Sequence, residues 1–132
     1  MATAGAKKTI LVIEDDLDVL SMIIKHLKLA GFEVIVATDG MEGLKKLETG
    51  HYDLVITDIV MPFVSGVGVV TALKAKRPQI PVIAITGFGR EPEAAAMEKK
   101  ADLVLAKPVK MTLLKQHIVE MLERSKEVNP EA

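Results

Sequence analysis

Five short apolar runs, Ile10-Leu11-Val12-Ile13, Val34-Ile35-Val36, Leu54-Val55-Ile56, Val82-Ile83-Ala84-Ile85 and Leu103-Val104-Leu105, carry no polar alternation. A strand with one face in water alternates apolar with polar side chains, so solid runs of this length predict strands covered on both faces, as in a parallel sheet. Between the runs the period changes to that of a helix. Leu20, Ile23, Ile24 and Leu27 fall on one face before Gly31, a predicted left-handed C-cap, and Met41, Leu44 and Leu47 repeat the pattern before Gly50. Ser65 is a predicted N-cap for a third helix through Val70 and Leu73, which Pro78 cannot continue. A short helix is expected over 93–100, after Pro92. A last one carries the stripe Leu114, Ile118, Met121 and Leu122 before the polar end Asn129-Pro130-Glu131-Ala132.

Five βα units with short links predict a three-layer, doubly wound α/β sandwich of flavodoxin-like type. Its five-stranded parallel sheet takes the order 2-1-3-4-5, because right-handed crossovers leave few alternatives. In that order the helices after the first and third strands leave on opposite faces and open a crevice beyond the strands' carboxyl ends. With 132 residues, one domain is expected over 9–126, with flexible segments at 1–8 and 127–132. A formal charge of -1 provides no basic field for direct nucleic-acid binding, and the absence of cysteine removes disulfides and thiolate metal sites. The apolar stretch at 10–13 is too short for a signal-peptide core or a membrane span. A soluble, cytoplasmic protein without membrane insertion is the expectation.

The ends of the runs carry the chemistry. Glu14 and Asp15 end the first, Asp58 ends the third, Thr86 the fourth and Lys107 the fifth, so the predicted topology brings them to one edge of the sheet. Two carboxylates about 4 Å apart repel by roughly 4 kcal/mol at an effective dielectric of 20, so this acidic group calls for a counter-ion. Oxygen-only ligands beside a phosphate-accepting position favour magnesium, with Asp15 and Asp58 as ligands and Glu14 acting through water. Taken alone, Glu14-Asp15-Asp16 is more often the pattern of a solvated loop in which Asp16 caps the next helix. Asp58 and Lys107 favour the site. A carboxylate held at a cleft mouth can act as a nucleophile toward phosphorus, with Lys107 as a compact positive charge and Thr86 as a hydroxyl donor to the phosphoryl oxygens.

At these residues the chain resembles the response regulator receiver domains of two-component signalling. The resemblance is carried by Ile10-Leu11-Val12-Ile13-Glu14-Asp15-Asp16, Ile56-Thr57-Asp58-Ile59-Val60-Met61-Pro62, Ile85-Thr86-Gly87 and Ala106-Lys107-Pro108, and spans residues 9 to 124. It implies a phosphoacceptor domain rather than an enzyme, phosphorylated on Asp58 by a sensor histidine kinase or histidine phosphotransfer protein, and signalling to a downstream protein target. It further implies Mg2+ held by Asp15, Asp58 and the backbone carbonyl of Val60, a cis peptide at Lys107-Pro108, and partner surfaces around 93–100, 103–106 and 111–122. The resemblance leaves open a stand-alone regulator or a receiver cut from a longer protein.

The chain also departs from the family. Val104 stands where an aromatic residue is usual, and an aliphatic side chain has no polar end to relocate, so the usual threonine–aromatic coupling does not carry over by resemblance. Phe88 and Phe63-Val64 make an apolar cleft rim, expected as local packing or as a docking patch. Val60 and Phe88 occupy positions that in relatives orient the hydrolytic water, and neither can do so, which predicts a long-lived phosphorylated state.

Other function classes fit less well. A phosphatase with an aspartyl nucleophile would want a second acid at position 60, where Val60 stands; Gly66-Val67-Gly68 and Gly87-Phe88-Gly89 complete no phosphate-binding motif. His26, His51 and His117 are too scattered for a metal cluster and are expected at the surface. A non-phosphorylated scaffold or interaction module with the same fold is the alternative.

Overall fold

The computed structural model describes residues 7–61, 64–87 and 100–128. In chain order these form β1 (Thr9–Ile13), α1 (Leu17–Leu29), β2 (Glu33–Ala37), α2 (Gly40–Thr49), β3 (Leu54–Asp58), α3 (Gly66–Lys76), β4 (Val82–Thr86), β5 (Leu103–Ala106) and α4 (Met111–Val128). The helix expected over 93–100 falls almost wholly outside the described residues, as do Phe63 and Phe88. No described helix is long and apolar enough to cross a membrane.

All five strands are parallel, in the order β2-β1-β3-β4-β5, as the solid apolar runs predict. β1 pairs with both β2 and β3, Leu11 lying opposite Ile35 on one side and Val55 on the other. Period-two alternation then splits each central strand between two cores. Ile10, Val12, Leu54, Ile56, Ile83 and Ile85 pack with Leu20, Ile23 and Leu27 of α1 and Leu114, Ile118 and Met121 of α4. Leu11, Ile13, Val55, Val82 and Ala84 pack on the other face with Leu47 of α2 and Val69, Val70 and Leu73 of α3. Each fully buried aliphatic side chain contributes about 1.5–3 kcal/mol, so these two layers are the main stabilisation of the fold.

The caps explain where the helices stop and start. Asp16 accepts hydrogen bonds from the amides of Asp18 and Val19 at 3.0 and 3.2 Å and so starts α1. Gly31, at φ 98°, ends it in the left-handed region, with its amide on the Lys28 carbonyl and that of Phe32 on the Leu27 carbonyl. Ser65 starts α3 through the Gly68 amide, as predicted, and the helix stops at Arg77, before Pro78.

One predicted stripe turns differently. Met41 is 47% exposed, and the buried face of α2 runs instead through Gly40, Gly43 and Leu47. The glycines let this face of the helix approach closely: a Cβ on Gly43 would stand 2.6 Å from Ile13 Cδ1, so Ile13 would have to shift to admit a larger residue. The apolar count favoured Met41 because it assigns glycine no face.

Candidate functional site

β1, β3 and β4 end side by side, and their last residues and following loops form the site. Glu14 and Asp58 are buried, at 1% and 6% exposure, and Asp15 beside them is exposed. One carboxylate oxygen from each of Glu14, Asp15 and Asp58 lies within 4.8 Å of the others. Thr86 is buried at the end of β4, where β3 and β4 pair Asp58 with Ile85. The amide of Lys107, just beyond β5, donates to the Thr86 carbonyl at 2.8 Å, and its peptide to Pro108 is cis. From there the Lys107 Nζ reaches across the end of β4 to 3.3 Å from Asp58 Oδ2 and 3.5 Å from Glu14 Oε1. Glu14, Asp15, Asp58 and Lys107, drawn from widely separated stretches of sequence, therefore meet in one place.

The carboxylates are held by main-chain donors. The Ile59 amide donates to Asp58 Oδ1 at 2.8 Å and shares its hydrogen with the Ile85 carbonyl at 3.1 Å. Glu14 Oε2 accepts from the Asp16 amide at 3.0 Å, so Asp16 both caps α1 and orients its neighbour. The solvated-loop pattern and the acidic site coexist here. Glu14 Oε1 is different: it is buried and has no hydrogen-bond partner among the described residues, with Lys107 Nζ 3.5 Å away.

That environment shifts the titration of two groups. Burial pushes the Glu14 carboxyl up from its ordinary 4.5 to about 7; the Asp16 amide pulls it down, and the neighbouring Asp58 charge adds to the rise. Burial alone would lower the Lys107 ammonium, but Asp58 and Glu14 together outweigh it and raise its pKa. The pocket is thus short of positive charge. A buried, orphaned carboxylate oxygen within an all-oxygen cluster fits a hard divalent cation, and Mg2+ satisfies that donor set with few protein ligands. Val60, an apolar residue two positions beyond Asp58, is 56% exposed.

Sequence reasoning missed the backbone contributions. The Ile59 amide that fixes Asp58 Oδ1 has no side-chain signature. Gly66 does leave a trace, a glycine at the first position of α3: a Cβ there would overlap the Asp58 carbonyl oxygen and stand 2.8 Å from Ile59 Cα. His26, His51 and His117 belong to no described metal cluster.

The class defined here is a doubly wound parallel α/β fold with an acidic cluster and a lysine at the carboxyl edge of its sheet, and the comparisons specify the family. The response regulator receiver domain model matches residues 10–119, and the chain belongs to that family. It is 36% identical over 125 residues to the transcriptional regulatory protein PrrA of Mycobacterium tuberculosis, covering 94% of this chain and 54% of that protein. The chain thus spans about half the length of that relative. A CheY-like receiver domain protein from Methanospirillum hungatei JF-1 superposes with a TM-score of 0.88 at 28% identity, covering 92% of this chain and 98% of that one. Response regulator TrrA of Thermotoga maritima, solved in complex with Mg2+–BeF, aligns at 32% identity and a TM-score of 0.76 over 86% of this chain and 98% of that one.

Proposed function

We propose that this receiver domain accepts a phosphoryl group on Asp58 from a sensor histidine kinase or histidine phosphotransfer protein, and signals through protein contacts to a downstream target. The observation that carries it is the Lys107 Nζ at 3.3 Å from the buried Asp58 Oδ2, inside the Glu14, Asp15 and Asp58 cluster. A carboxylate nucleophile needs no general base to activate it. One of its oxygens forms the new bond to phosphorus as the phosphorus–nitrogen bond of the donor imidazole breaks, its electron pair returning to the ring, which takes a proton from solvent. The Ile59 amide keeps the other oxygen from swinging away. Lys107 follows the negative charge from the carboxylates to the phosphoryl oxygens, and the Thr86 hydroxyl, at the neighbouring strand end, supplies a further donor.

Asp15, Asp58 and the main-chain carbonyl of Val60 are the residues for the cation, with Glu14 acting through water; Mg2+ there supplies positive charge to the carboxylates and the incoming phosphoryl group. The complex of TrrA with Mg2+–BeF supports magnesium as the ion for this fold. The same reading carries a cytoplasmic location, in keeping with a chain that has no cysteine.

Incubation with Mg2+ and acetyl phosphate or phosphoramidate, followed by intact mass measurement, tests the function. A single-phosphate adduct lost in Asp58→Asn supports the phosphoacceptor. Turnover of donor without adduct would indicate an aspartyl phosphatase, and no reaction at all the non-phosphorylated scaffold.

A further inference from the structure

Resting on the reading of Asp58 as phosphoacceptor, we propose that Gly40 and Gly66 are positioning residues, two bare Cα atoms on which the chain beyond β3 is seated so that Asp58 points correctly. A Cβ on Gly40, at the first position of α2, would overlap the Val64 carbonyl oxygen and stand 2.8 Å from its carbon and 2.9 Å from Val64 Cβ. Val64 runs through Ser65 into Gly66. The Gly66 amide donates to the Ile59 carbonyl at 2.7 Å, and its Cα is flush against the Asp58 carbonyl, where a Cβ would stand 3.0 Å from the carbonyl carbon. The Ile59 amide in turn holds Asp58 Oδ1 at 2.8 Å. Contact by contact, the start of α2 thus abuts the segment that orients the carboxylate.

The helix end cannot yield in place of the loop. Asp39 Oδ1 accepts from the Glu42 amide at 2.8 Å, and Glu42 Oε1 accepts from the Thr38 amide at 2.7 Å and its hydroxyl at 3.1 Å. The Ala37 carbonyl, just before that turn, accepts from the Glu14 amide at 3.0 Å, which ties the start of α2 to the end of β1. An alanine at position 40 is conformationally ordinary, since the constraint is space alone. Restoring normal contact distances would move the Val64 carbonyl by on the order of 1 Å. A misplacement of that size at a reacting group lowers rates by up to roughly a hundredfold.

The test compares Gly40→Ala with Gly50→Ala, whose Cβ would overlap the hydroxyl and ring edge of Tyr52, a side chain rather than backbone, at the other end of α2. Both variants crowd the same helix. With saturating Mg2+ and a titration of acetyl phosphate, Gly40→Ala is expected to lose about tenfold or more in the rate constant at saturating donor, with a smaller change in KM. Gly50→Ala is expected to keep the wild-type rate even where its melting temperature falls. A wild-type rate constant in Gly40→Ala, or equal slowing in both, overturns the proposal. Should Gly40→Ala fail to fold, Val64→Gly decides: a several-fold slower rate supports the seat, and an unchanged rate removes it. If the wild-type protein itself takes no phosphoryl group, the reading of Asp58 falls and this proposal with it, an outcome distinct from a normal wild type and an unaffected variant.

Discussion

The Lys107 ammonium stands 3.3 Å from Asp58 Oδ2, reaching over the end of β4 from a loop 49 residues further along the chain. In the proposed function this ion pair is the resting state of a site whose positive charge passes to the phosphoryl group. Lys107→Met should therefore slow phosphorylation by acetyl phosphate by about tenfold or more, the scale of removing a charge-stabilising donor. It should not weaken Mg2+ binding, because the lysine competes for the same carboxylates. A variant that phosphorylates normally would refute the role of Lys107.

Glu14 predicts how the metal-free protein responds to pH. Its folded pKa, about 7, lies above its ordinary 4.5, so between these values the folded state holds more protons than the unfolded one. This group therefore favours folding below about pH 4.5, loses that contribution as pH rises to about 7, and is constant above. Denaturant titrations at pH 5.5 and pH 8 should show the loss in wild type and not in Glu14→Gln. An identical decline in the variant would place the titrating group elsewhere.

Magnesium should reverse that trend. A cation bound only by the folded site stabilises it by about 1.4 kcal/mol at tenfold over its dissociation constant. The shift should grow from pH 5.5 to pH 8, as Glu14 ionises, and should shrink in Asp58→Asn. Thermal melts with and without Mg2+ measure it, and an undiminished shift in Asp58→Asn would separate the cation from this cluster.

Val60, apolar and 56% exposed beside Asp58, has no group with which to align a hydrolytic water. The phosphorylated protein should persist for minutes or longer after donor removal, and Val60→Asn should shorten that lifetime about threefold or more. Loss of phosphate within seconds from the wild type would contradict this.

At the opposite end of the sheet, Lys74 Nζ donates to the Pro78 and Ile80 carbonyls at 3.2 and 2.8 Å and to Asp102 Oδ2 at 2.8 Å; Asp102 also accepts from the Val82 amide. This ties the end of α3 to the starts of β4 and β5. Asp102 is partly solvated, so Lys74→Met should cost only about 1–2 kcal/mol of stability. Phosphorylation should be unchanged, and a loss there would mean that this clasp acts on the distant site.

The layer order and the strands were legible because burial on both faces leaves a local mark, solid apolar runs such as Ile10-Leu11-Val12-Ile13. Caps were legible for the same reason: Ser65 and Gly31 act within a turn of where they stand. The rotation of α2 was not, since Met41 and the glycines compete for one face and only contact with Ile13 and Val64 decides between them.

The sequence alone determined which residues end the strands, and with the parallel topology this was enough to send Glu14, Asp15, Asp58, Thr86 and Lys107 to one edge. Tertiary structure decided what they experience there. The orphaned Glu14 oxygen, its elevated pKa, the amide clamping Asp58 and the seats at Gly40 and Gly66 all depend on distances between segments far apart in the chain. Residue type fixes how many donors and charges a site owns, whereas desolvation and hydrogen bonding depend on where the rest of the chain comes to lie.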